Sequence, residues 1–229
     1  MGSIAAHEMK DDRTTKARIR DAAIASIAAD GVAGLTARKV AAAAGVSPGL
    51  VIHHFGTMDG LRAACDEHIS ATIRRYKEAA LSSGPHFDIL ASLRDTELGP
   101  LAAYLARVLA EDTPAVAQLV DDLVADAEGY IQRGVESGML RESDDPHGRA
   151  VVLTLWNLGA LVLHRHLERI LGVDLTAPAV TAAPGFARYV RPVYEIYGDG
   201  VLSEAFAAEA RAVFDTHPAT QPAREEGSR

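Results

Sequence analysis

The sequence predicts an all-α protein, and three observations point to this class. Hydrophobic residues make up 48% of the 229 residues but aromatic residues only 5%, and the chain is rich in alanine, which favours helices over strands. Apolar residues recur at helical intervals, and no segment alternates as a strand would. Several apolar runs follow a helix-capping residue and a proline. We expect a three-helix module over residues 1–56, a larger helical domain over residues 57–216 and a polar tail over residues 217–229.

The N-terminal module is predicted to contain three helices, and a fourth helix leads out of it. Thr36 and Ser47 each precede a short apolar run, where their hydroxyls can accept a hydrogen bond from a free amide of the first turn. Gly45 lies between these runs and suits a tight corner, because a positive φ costs glycine little. The predicted helices are Arg13–Asp30, Ala37–Ala44, Pro48 to about His54, and a longer helix that Thr57 opens and that ends near Leu81.

The larger domain is predicted to hold further helices separated by glycine and proline. Thr113-Pro114 and Asp145-Pro146 each place a capping residue before a proline at the first helical position. Residues Thr176–Gly185, rich in Ala, Pro and Thr, predict a loop. The predicted helices are about Asp88–Glu97, Pro100–Glu111, Pro114–Ser137, Pro146–Leu171, Phe186–Tyr197 and Val201–Thr216.

Charge is divided unevenly along the chain. Residues 1–80 hold 11 Lys and Arg against 9 Asp and Glu, a net charge of +2, whereas residues 81–229 hold 12 against 22, a net charge of −10. This asymmetry favours a small module that contacts a polyanion, joined to an acidic body that would repel one. A chance fluctuation on a solvated surface is the alternative. Charge alone does not distinguish the two explanations.

The sequence disfavours several classes of protein. Cys65 is the single cysteine, so it cannot form an internal disulfide, and its acidic neighbours would not stabilise a thiolate. The uncharged stretch Ala150–Leu163 is shorter than the ~18 residues that a membrane span needs. Met1–Arg13 lacks the apolar core of a secretory signal. We find no phosphate-binding glycine loop, zinc-ligand helix or nucleophile elbow. We therefore expect a cytoplasmic protein that is not an enzyme and contacts no membrane.

Residues Thr36–Phe55 are typical of a helix-turn-helix. Two short helices are joined by a corner at Gly45, and the second is short enough to lie in a major groove about 12 Å wide. This segment, TARKVAAAAGVSPGLVIHHF, resembles the DNA-binding motif of the TetR (tetracycline-repressor-like) family of transcriptional regulators. The similarity extends back through Ile19 and forward to Leu61. Beyond that point the chain is similar to the family only in its layout of helices.

The motif and its family positions suggest a set of DNA contacts. Thr36 caps a helix whose N-terminus can attract a phosphate, and Arg38 lies in the first turn of that helix. His54 stands where the resemblance implies a phosphate-contacting histidine. The second helix is poor in the Arg, Asn and Gln side chains that read bases, so recognition of DNA shape is expected to carry more of the specificity. The candidate DNA-binding residues are Lys16, Thr36, Arg38, Ser47, Pro48, Gly49, Leu50, His53, His54 and Thr57.

Two residues depart from the family pattern. Ile52 stands where the family usually has a tyrosine, and Met58 stands where it usually has a lysine; both are commonly phosphate contacts. Their absence is expected to lower DNA affinity and its salt sensitivity, with Thr57 or the basic residues Lys16 and Arg18 compensating in part. A helical scaffold or degenerate regulator that no longer binds DNA is therefore the alternative function.

The resemblance also implies a homodimer, formed by the last long helices, that binds a palindromic operator and is released by a small molecule bound in the larger domain. We expect a repressor. The segment Pro146–Leu171 fits a dimer because it is apolar nearly all round, which implies burial on more than one side. An ordinary monomeric core is the alternative.

The effector site is predicted only as a group of aromatic or polar-tipped residues on the helices expected to surround a cavity. The same spacing also fits core residues. His164 and His166 point about 200° apart on a helix, which argues against a shared metal ion, and we expect neither a metal nor a cofactor. The candidate ligand-binding residues are Tyr104, Tyr130, Trp156, Asn157, His164 and His166.

Overall fold

A computed structural model describes residues 2–82, 98–177 and 180–198, and within these ranges the secondary structure is helical with no strand. Two 3₁₀ turns, Val32–Gly34 and Val180–Ala182, accompany nine α-helices in this part of the chain. The α-helices are α1 (Gly2–Asp30), α2 (Ala37–Ala44), α3 (Pro48–Phe55), α4 (Met58–Ser82), α5 (Leu98–Val108), α6 (Pro114–Glu136), α7 (Pro146–Val162), α8 (His164–Leu171) and α9 (Phe186–Gly198). The predicted all-α class is confirmed.

Side-chain caps fix where several helices begin. In each case the side-chain oxygen accepts a hydrogen bond from the backbone N–H three residues later, which satisfies an amide that the first turn leaves free. The distance is 3.3 Å from Thr36 to Lys39 and 3.2 Å from Ser47 to Leu50. Equivalent caps are formed by Thr57 at 2.9 Å, Thr113 at 3.3 Å and Asp145 at 2.8 Å. These local signals were readable in the sequence, and the helix starts that they predict are confirmed.

Gly45 forms the corner between α2 and α3. Its φ of 67° and ψ of 37° are left-handed, and its N–H donates to the carbonyls of Ala41 and Ala42. A side chain at this position would be strained by the backbone conformation, although no neighbouring atom lies within 4 Å of the point that a Cβ would occupy. The predicted tight corner is confirmed.

The prediction of one helix over Pro146–Leu171 is wrong. The segment is two helices, α7 and α8, bent by 70° at a break. Leu163, between them, has a φ of −94° and a ψ of 14°, outside the helical geometry. After α8 the chain returns to the bend, where Asp174 Oδ1 lies 3.0 Å from His164 Nδ1. Because neither glycine nor proline occupies the break, the sequence did not signal it.

Other boundaries differ less. Helix α1 begins at Gly2 rather than Arg13, and α5 begins at Leu98, so Pro100 lies in its first turn, where a missing N–H costs nothing. The predicted loop 176–185 contains the short turn Val180–Ala182. The helices predicted at 88–97 and 201–216 and the tail at 217–229 lie outside the described residues.

One apolar core joins the N-terminal helices to the body. Ile19 and Ile27 of α1, Val40 of α2, Val51 of α3 and Leu61 of α4 are all fully buried. The same cluster continues into α5, α6 and α7 through Leu101, Tyr104, Leu105, Val108, Val116, Leu119, Leu123 and Leu158. The first three helices therefore pack on the body through shared apolar contacts.

The structure divides into two compact units, residues 1–186 and 187–229. No single helix among the described residues has the length and apolar character to cross a membrane; α7 and α8 meet that test only when they are taken together across their bend.

Candidate functional site

The helix-turn-helix separates a buried face from an exposed one. Val40, Ala41 and Val51 are at most 1% exposed and hold α2 and α3 together. Gly45, Ser47, Pro48 and Gly49, at the corner and the start of α3, are exposed, whereas Val46 packs against the core. Eight of the ten predicted DNA contacts are exposed, and Leu50 and His54 are half-buried. The fold thus brings the residues from Thr36 to Thr57 onto one small module.

Two basic residues of the module differ in their surroundings. Lys39 forms an ion pair with Asp30 at the end of α1. Arg38 is exposed, and no carboxylate in the described part of the chain pairs with it. Arg38 is consequently the guanidinium of α2 that remains available to an anionic partner.

Aromatic contacts order the end of α3. The His54 ring lies edge-on to His53 at a centroid distance of 5.6 Å and to Phe55 at 6.3 Å. Lys16 Nζ of α1 lies 5.5 Å from the centre of the Phe55 ring, within the range of a cation–π contact. This contact holds the Lys16 ammonium beside the helix-turn-helix.

The two departures from the family pattern have different environments. Ile52 is 42% exposed, so an apolar side chain lies on the outer surface of α3. Met58 is half-buried and packs against the main core. The Met58 side chain therefore contributes to the packing of the core.

A cavity of about 760 Å³ lies between two helices of the body and the turn that follows α1. We call it the α4–α6 groove: it is lined by one face of α4 between Asp59 and Arg74, by one face of α6 between Ala115 and Asp126, and by Val32, Glu111 and Thr113. Sequence reasoning missed this groove. The i, i+4 pair of Arg62 and Asp66 was visible as a helical ion pair, but nothing in the sequence indicated that it faces a cavity.

None of the six predicted effector-site residues lines this groove. Tyr104 is fully buried behind it, Tyr130 is half-buried, and Trp156 is 57% exposed. Asn157 donates to the Leu153 carbonyl at 2.6 Å, His164 contacts Asp174, and His166 is exposed. The role of these six residues in ligand binding stays a prediction.

A polar network lies at the wall of the groove. The Tyr104 hydroxyl donates to Asp66 Oδ1 at 2.6 Å, and Arg62 lies 3.4 Å from both Asp66 and Glu111. Burial raises the pKa of Asp66, although the hydrogen bond from Tyr104 and the charge of Arg62 oppose the rise. Burial and the neighbouring Asp66 also raise the pKa of Tyr104, so its hydroxyl stays protonated and acts as a donor.

The structure offers little for nucleophilic or metal chemistry in its described part. Cys65 is buried, and burial together with the charge of Asp66 raises the pKa of its thiol to about 12. No group of three or more His, Cys, Asp or Glu side chains within the described ranges could hold a metal ion. The Cys65 thiol is accordingly a packing group at neutral pH.

An apolar stripe lies exposed on α7 and continues to the bend. Val152, Leu155, Trp156, Val162 and Leu163 are each between 42% and 57% exposed. They are separated mainly by three, four or seven positions, which places them along one side of a helix. Large exposed apolar surfaces are typical of sites of association with another surface.

Two family models match the chain. Residues 19–65 match the model described as "Bacterial regulatory proteins, tetR family", and residues 96–203 match "Tetracyclin repressor-like, C-terminal domain". The HTH-type transcriptional regulatory protein RaaS of Mycobacterium tuberculosis is 38% identical over 206 residues, which cover 87% of this chain and 95% of RaaS.

Solved structures share the fold. A Rhodococcus sp. protein described as a TetR-family transcriptional regulator superposes with a TM-score of 0.58 at 24% identity, covering 73% of this chain and 95% of that one. SmeT, the repressor of the Stenotrophomonas maltophilia multidrug efflux pump SmeDEF, gives a TM-score of 0.50 at 24% identity, covering 78% of this chain and 91% of SmeT. SmeT has also been solved as a complex with triclosan.

Proposed function

Because the chain belongs to the TetR family of DNA-binding transcriptional regulators, which are not enzymes, we propose that it represses transcription from a palindromic operator as a homodimer and that a small molecule releases it. The observation that carries the proposal is the module from Thr36 to Thr57. Val40, Ala41 and Val51 are buried, while most of the predicted DNA contacts are exposed around the corner at Gly45.

Phosphate contacts give this surface most of its affinity. The N-terminal ends of α2 and α3, each capped by a hydroxyl, carry partial positive charge. Arg38 and Lys16 add full positive charges beside them, and His54 adds a hydrogen-bonding group at the end of α3. These groups fix the position of the module on the duplex without reading its sequence.

Sequence discrimination comes mainly from the start of α3. Pro48 and Leu50 offer apolar surface to thymine methyl groups, Gly49 permits close backbone approach, and Ser47 and His53 supply hydrogen bonds. This set makes few bidentate contacts with bases, so the operator is distinguished in large part by its shape and deformability.

The apolar stripe of α7 supports a homodimer. A second copy that covered Leu155, Trp156 and their neighbours would remove this surface from water, which is favourable by ~25 cal/mol per Å² of apolar surface. Two-fold symmetry would then place two recognition helices about 34 to 36 Å apart, in successive major grooves of a palindromic site.

Release requires that the effector bind better to a state that does not fit the operator. The body of the protein provides a cavity of about 760 Å³, within the range of ~300 to 1,000 Å³ that is typical of small-molecule sites. Binding there would shift the population toward the DNA-free state, with α4 transmitting the change to the module.

The first experiment is selection of binding sites from a random duplex pool by the purified protein, followed by affinity measurements at several salt concentrations. Enrichment of an inverted repeat with a steep salt slope is expected. Failure of a folded dimer to enrich any sequence, with or without candidate effectors, would favour the degenerate regulator.

Two variants locate the interface. Arg38→Ala is expected to weaken binding to all duplexes and to reduce the salt slope by about one unit, because one phosphate contact is lost. Arg169→Ala removes an equal charge from exposed α8 and serves as the matched control. Equal effects of the two variants would contradict the assignment.

The family departure at Met58 allows the opposite test. Met58→Lys is expected to tighten DNA binding and to steepen its salt dependence, since a lysine at the start of α4 adds a phosphate contact. An unchanged salt slope would show that position 58 does not approach the DNA.

A further inference from the structure

The α4–α6 groove has a strong excess of negative charge. Two guanidinium groups, Arg62 and Arg74, are outnumbered by six carboxylates, a formal excess of four negative charges. These carboxylates belong to Asp59, Asp66, Glu67, Glu111, Asp122 and Asp126. A concave site with one sign of charge concentrates ligands of the opposite sign.

Ion pairing within the groove leaves part of this charge uncompensated. Arg74 lies 2.7 Å from Asp126, and Arg62 is shared between Asp66 and Glu111. No Lys or Arg in the described ranges pairs with the three remaining carboxylates, which belong to Asp59, Glu67 and Asp122. The groove therefore contains carboxylates that an incoming cation can pair with, without displacing either arginine.

Ser70 supplies a second, independent observation. Its side chain is only 8% exposed and lines the groove, yet its Oγ has no hydrogen-bond partner among the described residues. A buried hydroxyl without a partner is costly. The Oγ atom itself is closed to solvent, so a ligand N–H group would satisfy it once the side chain rotated toward the groove.

Apolar side chains also line the groove, beside the polar residues Thr113 and Gln118. Val32, Ala63, Ala71, Leu119 and Ala125 lie between the polar groups. A small inorganic cation would leave this surface uncovered, whereas a cation carried on a hydrocarbon body would fill the volume and bury apolar area.

We propose that the α4–α6 groove is the effector site of this regulator and that its ligand is a protonated amine attached to an apolar body. The assignment rests on the proposed function, because it names the chemical class of the effector. Asp122 and Glu67 attract the ammonium group, the Ser70 hydroxyl, rotated toward the groove, accepts a hydrogen bond from it, and the alanine and leucine side chains contact the hydrocarbon.

The position of the groove relates such a ligand to DNA binding. Val32 belongs to the turn between α1 and α2, and Asp59 lies in the first turn of α4, directly after the helix-turn-helix. A ligand in the groove therefore contacts the segments just before and just after the helix-turn-helix as well as α6. If the ligand made different contacts with the module in its DNA-bound and DNA-free positions, it would bind the two states with different affinities, as release requires.

The test uses three eight-carbon probes that differ in their head group: octylammonium, octanol and octanoate. Each is titrated into the full-length protein without DNA by calorimetry. Octylammonium is expected to bind about tenfold more tightly than octanol, with octanoate weakest, because only the ammonium group gains from the carboxylates. Equal affinities for the three probes would overturn the proposal.

Neighbouring aspartates provide a matched pair of variants. Asp122→Asn is expected to weaken octylammonium binding about threefold and to leave octanol binding unchanged. Asp121→Asn removes the same charge from the same helix outside the groove lining and is expected to have no effect. Should Asp122→Asn fail to fold, Glu67→Gln is the second variant. Equal weakening by Asp121→Asn would place the ammonium group elsewhere.

A second readout separates this proposal from the proposed function. Operator affinity is measured with and without octylammonium, and a loss of affinity that Asp122→Asn diminishes is expected. Octylammonium binding that leaves operator affinity unchanged would remove the effector assignment while leaving the regulator intact. A protein that bound no operator would contradict the proposed function, and the titration without DNA would still decide whether the groove takes an amine.

Discussion

Helix α4 meets its neighbours through two different surfaces. Leu61, Cys65 and Ile69, one turn apart, are fully buried in the apolar cluster shared with α1. Arg62 and Asp66, each one position further along, belong to the ionic wall of the groove. Apolar packing is non-directional and close, so it fixes the helix in place. Ionic contacts depend on geometry and can exchange partners. A charged ligand can therefore rearrange the contacts of the ionic wall, but not those of the apolar surface.

The largest effect is expected on the apolar surface. Leu61→Ala should lower the free energy of unfolding by about 3 kcal/mol, because it removes buried methyl groups and leaves a cavity. Urea denaturation of the variant and the wild type measures the difference. Leu140→Ala, at a position that is 36% exposed, is the control and should change stability by less than about 0.5 kcal/mol. Similar losses in both variants would contradict the distinction between the two surfaces.

The polar wall should respond less. Tyr104→Phe removes the hydroxyl that donates to Asp66 at 2.6 Å and should lower the free energy of unfolding by about 1.5 kcal/mol, the usual contribution of a hydrogen bond to a charged group. Tyr194→Phe, at a residue that is 49% exposed, should have no effect on denaturation. If Tyr104→Phe is as stable as the wild type, the hydrogen bond does not contribute.

The pH dependence of stability tests Asp66 itself. Its pKa is raised above the ordinary value of 3.8 in the folded protein, chiefly by burial, so the native state holds this proton more tightly than the unfolded state does. The corresponding stability is present below pH 3.8 and is lost as pH rises through the folded pKa.

Asp66→Asn cannot lose a proton at this position. Its free energy of unfolding, measured by urea denaturation from acid to neutral pH, should therefore rise relative to that of the wild type as pH rises from 3.8 through the folded pKa of Asp66. A constant difference between the two proteins would mean that the Asp66 pKa is not raised by folding.

The smallest effect is expected where the ionic contacts are most exposed. Arg133 lies 2.5 Å from Glu78, and both side chains are more than 40% exposed. Arg133→Gln should change the free energy of unfolding by about 0.3 kcal/mol at low salt, and about 0.5 M salt should abolish the difference. A difference that persisted in high salt would indicate that this pair is not screened by solvent.

The sequence predicted features that depend on neighbouring residues. Thr36, Ser47, Thr113 and Asp145 satisfy amides three positions away, so each helix start follows from a short segment. Gly45 defines the corner for the same reason, since its left-handed conformation is a property of a single residue.

Features that depend on distant residues were not predictable in this way. The bend at Leu163 is accompanied by the contact between His164 and Asp174, which comes from the return of the chain. Tyr104 was expected to line a ligand site because it is aromatic with a polar tip, yet its hydroxyl is used by Asp66 of another helix. A sequence pattern within one helix does not reveal which charged residue of another helix a given side chain will face.

Arg107 of α5 connects the body to the last turn of α1 in a way that has a mechanical consequence. Its Nε and Nη2 donate to the carbonyls of Ala28 and Ala29 at 3.3 Å and 3.5 Å, both beyond the usual upper distance of about 3.2 Å. A further slide of α5 by about 1 Å would break both contacts. A displacement of α5 relative to α1 would therefore be opposed mainly by the shared apolar core and only weakly by Arg107.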